Sequence, residues 1–392
     1  MATVSHWQAD APGVATAGEP PSRCDVAVVG GGIAGASTAH WLRQLESDLD
    51  VVLVERGRLA SGASGRNAGF LLQGTDADFA RTAEERGAEV ARRLWQFTQE
   101  NRDGLVEALG GAEVEMVPSG SLTAAGDEAE DARLRRAADL LRADGVEAEY
   151  LPPNEANREI GSVGFFGALR VAGGAALHPV RTVRALAKQS GARVVEHCAV
   201  QSAEPSGDGV RLVTSGGTLE AGRVVLALNA YLPRLVPLLA EHVRPVRAQM
   251  LATAPQPHAL GLPVYSHEGY FYIRQLPTGE VLLGGARHLH REAEVGYEDA
   301  ATAPLQADLE AYLHRHFPAF AGADVARRWS GTMGFSSTGL PRFGTVPGVD
   351  QAWWVGGFTG HGMGYGFRMG RTVAAAVSGQ DDPFDSLFRS DR

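Results

Sequence analysis

The segment from Cys24 to Glu55 constrains the fold more than any other part of this sequence. It opens with an apolar run of β-branched residues and alanine, Val26–Val29, which is the composition of a strand buried on both faces. A helical pattern over about Ile33–Leu45 and a second apolar run ending at Glu55 follow. Between the first run and the helix, glycines stand at G-x-G-x-x-G spacing: Gly30, Gly32 and Gly35. This order of strand, turn, helix, strand and acid predicts a dinucleotide-binding unit.

Each part of this unit has a physical role in binding a dinucleotide. The first glycine permits a tight turn, the second lets a pyrophosphate approach the backbone, and the third lets the helix pack against the strand. The start of the helix presents N–H groups and the positive end of its dipole to phosphate. Glu55 follows the last glycine by 20 residues, where a carboxylate can accept from both ribose hydroxyls. The predicted nucleotide contacts are Gly30, Gly32, Ile33, Ala34, Gly35, Glu55 and Arg56.

Composition and charge exclude several classes of partner. The chain has 392 residues, a net charge of −10 and a sequence pI near 5.7, which disfavours nucleic acid and anionic membrane surfaces. No apolar run approaches the roughly 20 residues of a membrane span, and residues 1–22 lack the apolar core of a signal peptide. The two cysteines, Cys24 and Cys198, have no zinc-ligand spacing and predict no structural disulfide. We therefore expect a cytoplasmic protein without a metal site, whose oligomeric state these patterns leave open.

Segments of cofactor-binding character are scattered along the chain, which predicts two interleaved domains. Residues 1–22 are expected to form a loose N-terminal arm, with Trp7 as its candidate anchor on the body. The predicted nucleotide-binding domain is discontinuous and comprises residues 23–75, 175–242 and 326–392. Residues 76–174 and 243–325 are predicted to form a substrate domain.

Seven motifs occur in the order that they have in one enzyme family: VAVVGGGIAG, SGASGRNAGF, ALHPVRT, VVLALNAYL, YFYIRQLPTGEVLLGGARH, WSGTMGFSSTGLPRFG and GGFTGHGM. Over about residues 23–380 the sequence resembles the FAD-dependent D-amino acid oxidase, glycine oxidase and sarcosine oxidase family. The SGASGRN, LHP and FTGHG motifs look closest to its γ-glutamylputrescine oxidase branch. The resemblance implies an α/β fold, in which an FAD-binding Rossmann-like domain is interleaved with a mixed-sheet substrate domain. It also implies FAD rather than NAD as the cofactor.

The resemblance assigns further residues to the FAD. The small-residue loop after Glu55 would follow the pyrophosphate and the isoalloxazine. The loop residues themselves also suggest this, because the Ser61, Ser64 and Arg66 side chains are available to phosphates. Val200 would meet the adenine through its backbone, and the loop Gly360–Met363 would face the pyrimidine side of the flavin. N–H groups at a helix start stabilise negative charge on a reduced flavin. The residues implied in this way are Ser61, Ala63, Ser64, Gly65, Arg66, Asn67, Ala68, Val200, Asn229, Gly331, Gly360, His361, Gly362 and Met363.

Three departures from the family bear on the chemistry. Met333 stands where glycine oxidase-like members carry an arginine for the substrate carboxylate. The same segment lacks the cysteine that attaches flavin covalently in sarcosine oxidases, so the FAD is expected to be non-covalent. Lys188 is the only lysine and lies on a predicted surface helix, so the oxygen-activating lysine of those enzymes is missing. The electron acceptor is therefore oxygen or another molecule, and an α-carboxylate is not a required feature of the substrate.

Aromatic and histidine side chains are the first group of candidates on the substrate side. His361 is either close to the reacting atoms or a structural part of its loop. Tyr270 and Tyr272 alternate with Phe271 and Ile273 along one predicted strand. Because successive strand residues point to opposite faces, only one of these pairs can face the cleft.

Polar and flexible side chains are the second group. Arg274 and Gln249 are candidates to bind a polar substrate group, with a surface position as the alternative. Arg287 and His288 either line the cleft or form an exposed strand end. Met333 would offer an adaptable apolar wall to the substrate.

These features favour oxidation of a C–N bond in a small amine or amino acid. Hydride would pass from the carbon that bears nitrogen to flavin N5, giving an imine that water hydrolyses, and oxygen as acceptor would give hydrogen peroxide. The reaction depends on positioning a neutral amine in a dry pocket, so no general base is assigned. Two alternatives stay open: FAD-dependent oxidation of a 2-hydroxyacid, and a flavin-binding protein without turnover.

Overall fold

The computed structural model describes residues 2–12, 18–75, 77–110 and 112–390. Within these ranges the strands form three sheets. The strands are β1 (Arg23–Val29), β2 (Val51–Val54), β3 (Phe70–Leu71), β4 (Val117–Pro118), β5 (Ser121–Ala124), β6 (Ala148–Leu151), β7 (Ala168–Val171), β8 (Ala175–Ala176), β9 (Arg193–Val195), β10 (Val200–Ser206), β11 (Gly209–Thr214), β12 (Gly217–Leu226), β13 (Arg244–Thr253), β14 (Val264–Ser266), β15 (Phe271–Gln275), β16 (Val281–Gly285), β17 (Val325–Phe335), β18 (Arg342–Thr345) and β19 (Ala352–Gly356).

Helices pack against the two large sheets, one in the nucleotide-binding region and one in the substrate region. They are α1 (His6–Asp10), α2 (Ile33–Leu45), α3 (Phe79–Arg86), α4 (Ala88–Ala108), α5 (Glu128–Ala143), α6 (Pro153–Ile160), α7 (Pro179–Gln189), α8 (Leu232–Leu235), α9 (Ala303–His316), α10 (Gly362–Val377) and α11 (Asp385–Phe388). In the described ranges, none of these helices combines the length and the apolar character that crossing a membrane requires.

The first sheet contains the predicted dinucleotide-binding unit. Its strand order is β10-β11-β12-β1-β2-β9, with β19 beside β12 and β18 beside β19. β1 pairs in parallel with both β12 and β2, and the apolar runs of β1 and β2 are almost completely buried. The predicted strand Val26–Val29, helix Ile33–Leu45 and second strand are therefore confirmed.

Helices α2 and α10 pack against each other through small residues. A Cβ placed on Gly370 would lie 2.6 Å from Cβ of Ser37, and one placed on Gly366 would lie 2.9 Å from Ile33 side-chain carbons. Only glycine allows this close approach of the two backbones. As a result, the N-termini of α2 and α10 lie side by side, with Ile33 next to Gly362.

The second sheet is mixed, as predicted for the substrate domain. Its order is β17-β13-β16-β15-β14-β5-β7-β6, in which β14 and β5 run parallel and the other neighbours are antiparallel. β17 pairs with β13 along almost its full length, from Phe335 opposite Arg244 to Val325 opposite Thr253. The segment 326–392, predicted to belong wholly to the nucleotide-binding domain, is therefore divided, and residues 326–335 belong to the substrate sheet.

The N-terminal segment (residues 2–12) is held on the body of the protein. Ser5 and Gln8 form a capping box at the start of α1. The Trp7 side chain is buried, and its Nε1 donates to the Asn67 carbonyl oxygen at 2.7 Å. Trp7 is thus the predicted anchor, while the prediction of a loose arm is wrong for the residues around α1, because these contacts fix them.

Candidate active site

A cavity of about 990 Å³ lies between the two large sheets. The glycine-rich turn, the loop after Glu55 and the start of α10 line one part of it, and residues of β14, β15 and β17 line another. Its volume is at the upper end of the range for ligand pockets, about 300–1,000 Å³. The cavity therefore joins the predicted cofactor segments to the predicted substrate wall.

The glycine-rich turn leaves no room for side chains. Gly30 has φ +114°, and a Cβ there would lie 2.5 Å from the Ala227 carbonyl oxygen. A Cβ on Gly35 would overlap the Gly30 carbonyl oxygen, and a Cβ on Gly32 would lie 2.9 Å from Ser64 Oγ. This backbone, bare at the cavity edge and opening a helix, fits a pyrophosphate. Gly35 itself is not among the lining residues, so its role is to pack the helix under the turn.

Glu55 connects the turn to the following loop. Its Oε2 accepts from Gly31 N at 2.7 Å, and its Oε1 accepts from Gly57 N at 2.8 Å and from Ser61 Oγ at 3.2 Å. A carboxylate has about four acceptor positions, so Oε2 retains capacity for a further donor on the cavity side. The geometry is compatible with a ribose hydroxyl at that atom.

We expect Glu55→Gln to lower FAD affinity by about 1–3 kcal/mol, because an amide NH₂ would face a backbone N–H that now donates to a carboxylate. Fluorescence titration of the apoprotein with FAD measures this change. Glu204→Gln, an exposed position on β10, is the matched control and should leave affinity unchanged. Unchanged affinity in folded Glu55→Gln would place the ribose elsewhere.

The Arg66 guanidinium holds the loop rather than reaching towards a phosphate. Its Nε donates to the Ser61 carbonyl oxygen at 3.0 Å, and Nη1 donates to the Ser330 carbonyl oxygen at 2.8 Å. Nη1 also contacts Asp299, and Nη2 donates to the Thr3 carbonyl oxygen at 2.9 Å. The prediction that this side chain is available to phosphate is therefore wrong, because all three of its nitrogens already donate to protein atoms. Arg66 still contributes to the cavity lining.

The remaining predicted cofactor residues are distributed around the same cavity. Gly65 is the exception in the loop, because it packs against the Ala60 carbonyl and is absent from the lining. Asn229, at φ +46°, accepts from Gly357 N at 3.0 Å through Oδ1 and so ties two segments together. The predicted residues that line the cavity are Gly30, Gly32, Ile33, Ala34, Glu55, Arg56, Ser61, Ala63, Ser64, Arg66, Asn67, Ala68, Val200, Asn229, Gly331, Gly360, His361, Gly362 and Met363.

Two tyrosines form the wall opposite the start of α10. Tyr272 on β15 and Tyr265 on β14 are directly paired, with ring centroids 6.1 Å apart. The Tyr265 ring lies 6.2 Å from the His361 ring and 5.2 Å from the Phe70 ring. Burial raises the pKa of Tyr272 to about 12 and raises the pKa of Tyr265 as well. Both phenols are therefore neutral at physiological pH and can serve as hydrogen-bond donors.

Tyr265 is a wall residue that was not predicted from the sequence. It lies on a strand of three residues, which is too short to show an alternating pattern. Residues 270–273 point alternately to the two faces of the sheet, as predicted. Tyr270 and Tyr272 line the cavity, whereas Phe271 and Ile273 belong to the hydrophobic core. The tyrosine pair is the one that faces the cleft.

Arg274 and Gln249 are not brought into the cavity. Arg274 is buried, and its Nη1 donates to the carbonyl oxygens of Ala68 and Leu177 at 3.1 and 3.2 Å. Burial lowers its pKa to about 10. Gln249 is also buried and bonds Glu294 and Thr302. Neither residue has the predicted substrate role or the surface alternative, because both cross-link the interior.

His361, Met333 and Arg287 do reach the cavity. His361 stands at the start of α10, with its Nδ1 3.2 Å from the Thr359 carbonyl oxygen. The Met333 Sδ lies 3.7 Å from the position of a Cβ on Gly360, so it adjoins the α10 loop. Across the part of the chain that the structure describes, no three His, Cys, Asp or Glu side chains are grouped to hold a metal ion.

Comparison with known proteins places this geometry in context. The family model for FAD dependent oxidoreductases, DAO, matches residues 25–376. A probable oxidoreductase from Rhizobium meliloti is 29% identical over 390 residues, spanning 94% of this chain and 86% of that protein. Gamma-glutamylputrescine oxidoreductase from Escherichia coli is 27% identical over 378 residues, spanning 93% and 86% of the two chains. Glycine oxidase from Geobacillus kaustophilus has the same fold, with a TM-score of 0.80 at 23% identity, covering 95% of this chain and 100% of that one.

Proposed function

The chain belongs to the DAO family of FAD-dependent oxidoreductases acting on amine or amino acid C–N bonds, and from this premise we propose that its substrate is an amine without an obligatory α-carboxylate. Among the relatives, the one from Escherichia coli carries gamma-glutamylputrescine in its name. The observation that carries the proposal is Met333, an apolar side chain on the cavity wall beside the Gly360 loop. A buried carboxylate without a cation costs several kcal/mol.

FAD, when bound in this cavity, would supply the two-electron acceptor for hydride from the carbon that bears the substrate nitrogen. The residues of this chain position that carbon and exclude water. Tyr265 and Tyr272 offer neutral hydroxyls on one wall, and the N-terminus of α10 lies on the other. A helix N-terminus stabilises negative charge that develops next to it.

An anaerobic substrate panel tests the proposed function. Purified holoprotein is mixed with amines, the matching α-amino acids and 2-hydroxyacids, and loss of flavin absorbance is followed. We expect amines to reduce the flavin at least as fast as the matching α-amino acids. Faster reduction by α-amino acids across several pairs would contradict the proposal, and reduction by 2-hydroxyacids alone would replace C–N by C–O chemistry. Air and an artificial acceptor, compared by peroxide formation, then identify the acceptor class.

We also expect the FAD to be non-covalent. Cys24 does not line the cavity, and Cys198 lines it together with Val200, the residue predicted to meet the adenine. Acid precipitation should therefore release all of the yellow colour into the supernatant. Colour in the pellet would contradict the expectation, and repeating the test with His361→Ala would show whether that imidazole is the point of attachment.

A further inference from the structure

Arg287 is a cation that the backbone turns into the cavity. It follows β16 at the start of a short 3₁₀ turn, Arg287–Leu289. Gly285 has φ +128°, and Ala286 has φ +56°, a left-handed conformation that non-glycine residues seldom adopt. A Cβ on Gly285 would overlap the Tyr270 carbonyl oxygen. This turn takes the chain sharply out of the strand and brings Arg287 to the cavity wall.

No anion of the described chain neutralises Arg287. Its guanidinium carbon lies 4.7 Å from the centroid of the Phe335 ring. In the described ranges, its guanidinium donates no hydrogen bond and forms no ion pair. The charged groups that act on it include the cations Arg244 and Arg291, and burial lowers its pKa. A half-buried guanidinium has five donors and costs free energy to desolvate without a partner.

The strand register relates Arg287 to Met333. Met333 and Phe335 are two residues apart on β17, so their side chains point to the same face. Gly331, on that face too, adjoins Arg66. Gly331, Met333 and Phe335 thus follow one another on this face of β17, at increasing distance from the Arg66 loop. Phe335, which packs under the Arg287 guanidinium, lies one two-residue repeat of the strand beyond Met333. One repeat is about 6.7 Å.

We propose that Arg287 binds a carboxylate of the substrate, and that this carboxylate is separated by several bonds from the C–N bond that is oxidised. This inference rests on the proposed function. Arg287 is displaced along β17 from Met333 by one strand repeat. Because a carbon–carbon bond is about 1.5 Å long, this displacement corresponds to a chain of roughly four or more bonds in the substrate. The substrate class is an ω-amino acid, or an amine whose far end carries a carboxylate. A planar guanidinium on an aromatic face is well suited to bidentate carboxylate binding.

The experiment measures anaerobic flavin reduction of the holoprotein by linear ω-amino acids of increasing chain length and by alkylamines of equal length. Arg287→Met removes the charge with little change of volume. Arg287→Lys keeps the charge but lacks the planar guanidinium that forms two parallel hydrogen bonds with a carboxylate. Arg315→Met is the matched control, since Arg315 is an exposed cation on α9, outside the cavity lining. For the wild type, we expect the apparent Kd of ω-amino acids to fall with chain length and α-amino acids to bind more weakly.

Arg287→Met should raise the apparent Kd of the longer ω-amino acids by roughly 10- to 100-fold and leave that of the alkylamines within about threefold. Arg287→Lys should show a smaller loss, and Arg315→Met should match the wild type. Equal losses for the ω-amino acids and for the alkylamines without a carboxylate, or α-amino acids as the tightest ligands, would overturn the proposal. If no amine of either kind reduces the flavin, the proposed function itself fails instead.

A binding measurement on the wild type keeps the proposal testable if Arg287→Met does not fold. Linear monocarboxylates that lack an amine are titrated into the holoprotein, and the flavin absorption spectrum is followed. A saturable spectral change that strengthens with chain length is expected. The absence of any change at millimolar carboxylate would overturn the proposal.

Discussion

Gly35→Ala is expected to yield protein that does not retain FAD on purification. The new Cβ would overlap the Gly30 carbonyl oxygen, and this obstacle is backbone, which cannot rotate away. Separating α2 from the turn should cost more than about 3 kcal/mol, which corresponds to a loss of more than about 100-fold in FAD affinity. The ratio of absorbance at the flavin band to that of the protein measures retention.

Gly62→Ala is the matched control for this substitution. Gly62 also lines the cavity, but a Cβ there meets no heavy atom within 4 Å. It should therefore bind FAD like the wild type, although it introduces the same methyl group into the same site. Retention of FAD by Gly35→Ala would contradict the structure of the turn, and loss of FAD by Gly62→Ala would show that the site tolerates no change in its loop.

Glu294→Ala is expected to destabilise the protein by about 3–5 kcal/mol, because it leaves a buried guanidinium without its buried carboxylate partner. Glu294 accepts from Arg247 Nε and Nη2, both at 2.7 Å, and from Gln249 Nε2 at 2.9 Å. Both members of the ion pair are almost completely buried. Arg247 lies opposite Thr332 in the ladder between β13 and β17, so the ion pair that is lost lies next to the substrate wall. The melting temperature at fixed FAD concentration should fall by roughly 5 °C or more.

Glu298→Gln tests whether burial is the cause. Glu298 Oε2 is 3.0 Å from Nη1 of the same arginine, but its side chain is 77% exposed. An exposed ion pair contributes about 0–1 kcal/mol, so this variant should melt within about 2 °C of the wild type. If Glu294→Ala and Glu298→Gln had similar melting temperatures, the buried ion pair between Arg247 and Glu294 would not be a stabilising element of the sheet.

The cofactor half of the site could be predicted because its signals are local. Strand, glycine turn, helix and acid lie within one continuous segment, and the structure confirms the two strands, the turn and the helix between Val26 and Val54. The capping box of Ser5 and Gln8 is equally local, and its S-x-x-Q pattern would have marked α1. Patterns of this kind depend on neighbours in the chain and need no knowledge of the tertiary fold.

The substrate half could not be predicted in the same way because it depends on pairing between distant segments. Tyr265 reaches the wall only because β14 pairs with both β5 and β15. Arg274 and Arg287 are both arginines near strand ends, yet one bonds Ala68 and Leu177 in the interior and the other faces the cavity. The pairing of β17 with β13 likewise moved residues 326–335 out of their predicted domain.

The docking of the N-terminal segment has a consequence for the order in which the protein assembles. The Thr3 hydroxyl accepts from Ser330 N at 3.0 Å across 327 positions of sequence, and Ser5 Oγ donates to the Gly65 carbonyl oxygen at 2.6 Å. Chains fold as they are synthesised, from the N-terminus onwards. The contact between Thr3 and Ser330 can therefore form only after β17 has been synthesised, 327 positions later in the chain. Until then the loop that contains Arg66 lacks one of its ties, because the Arg66 guanidinium donates to the Ser330 carbonyl oxygen on the same strand.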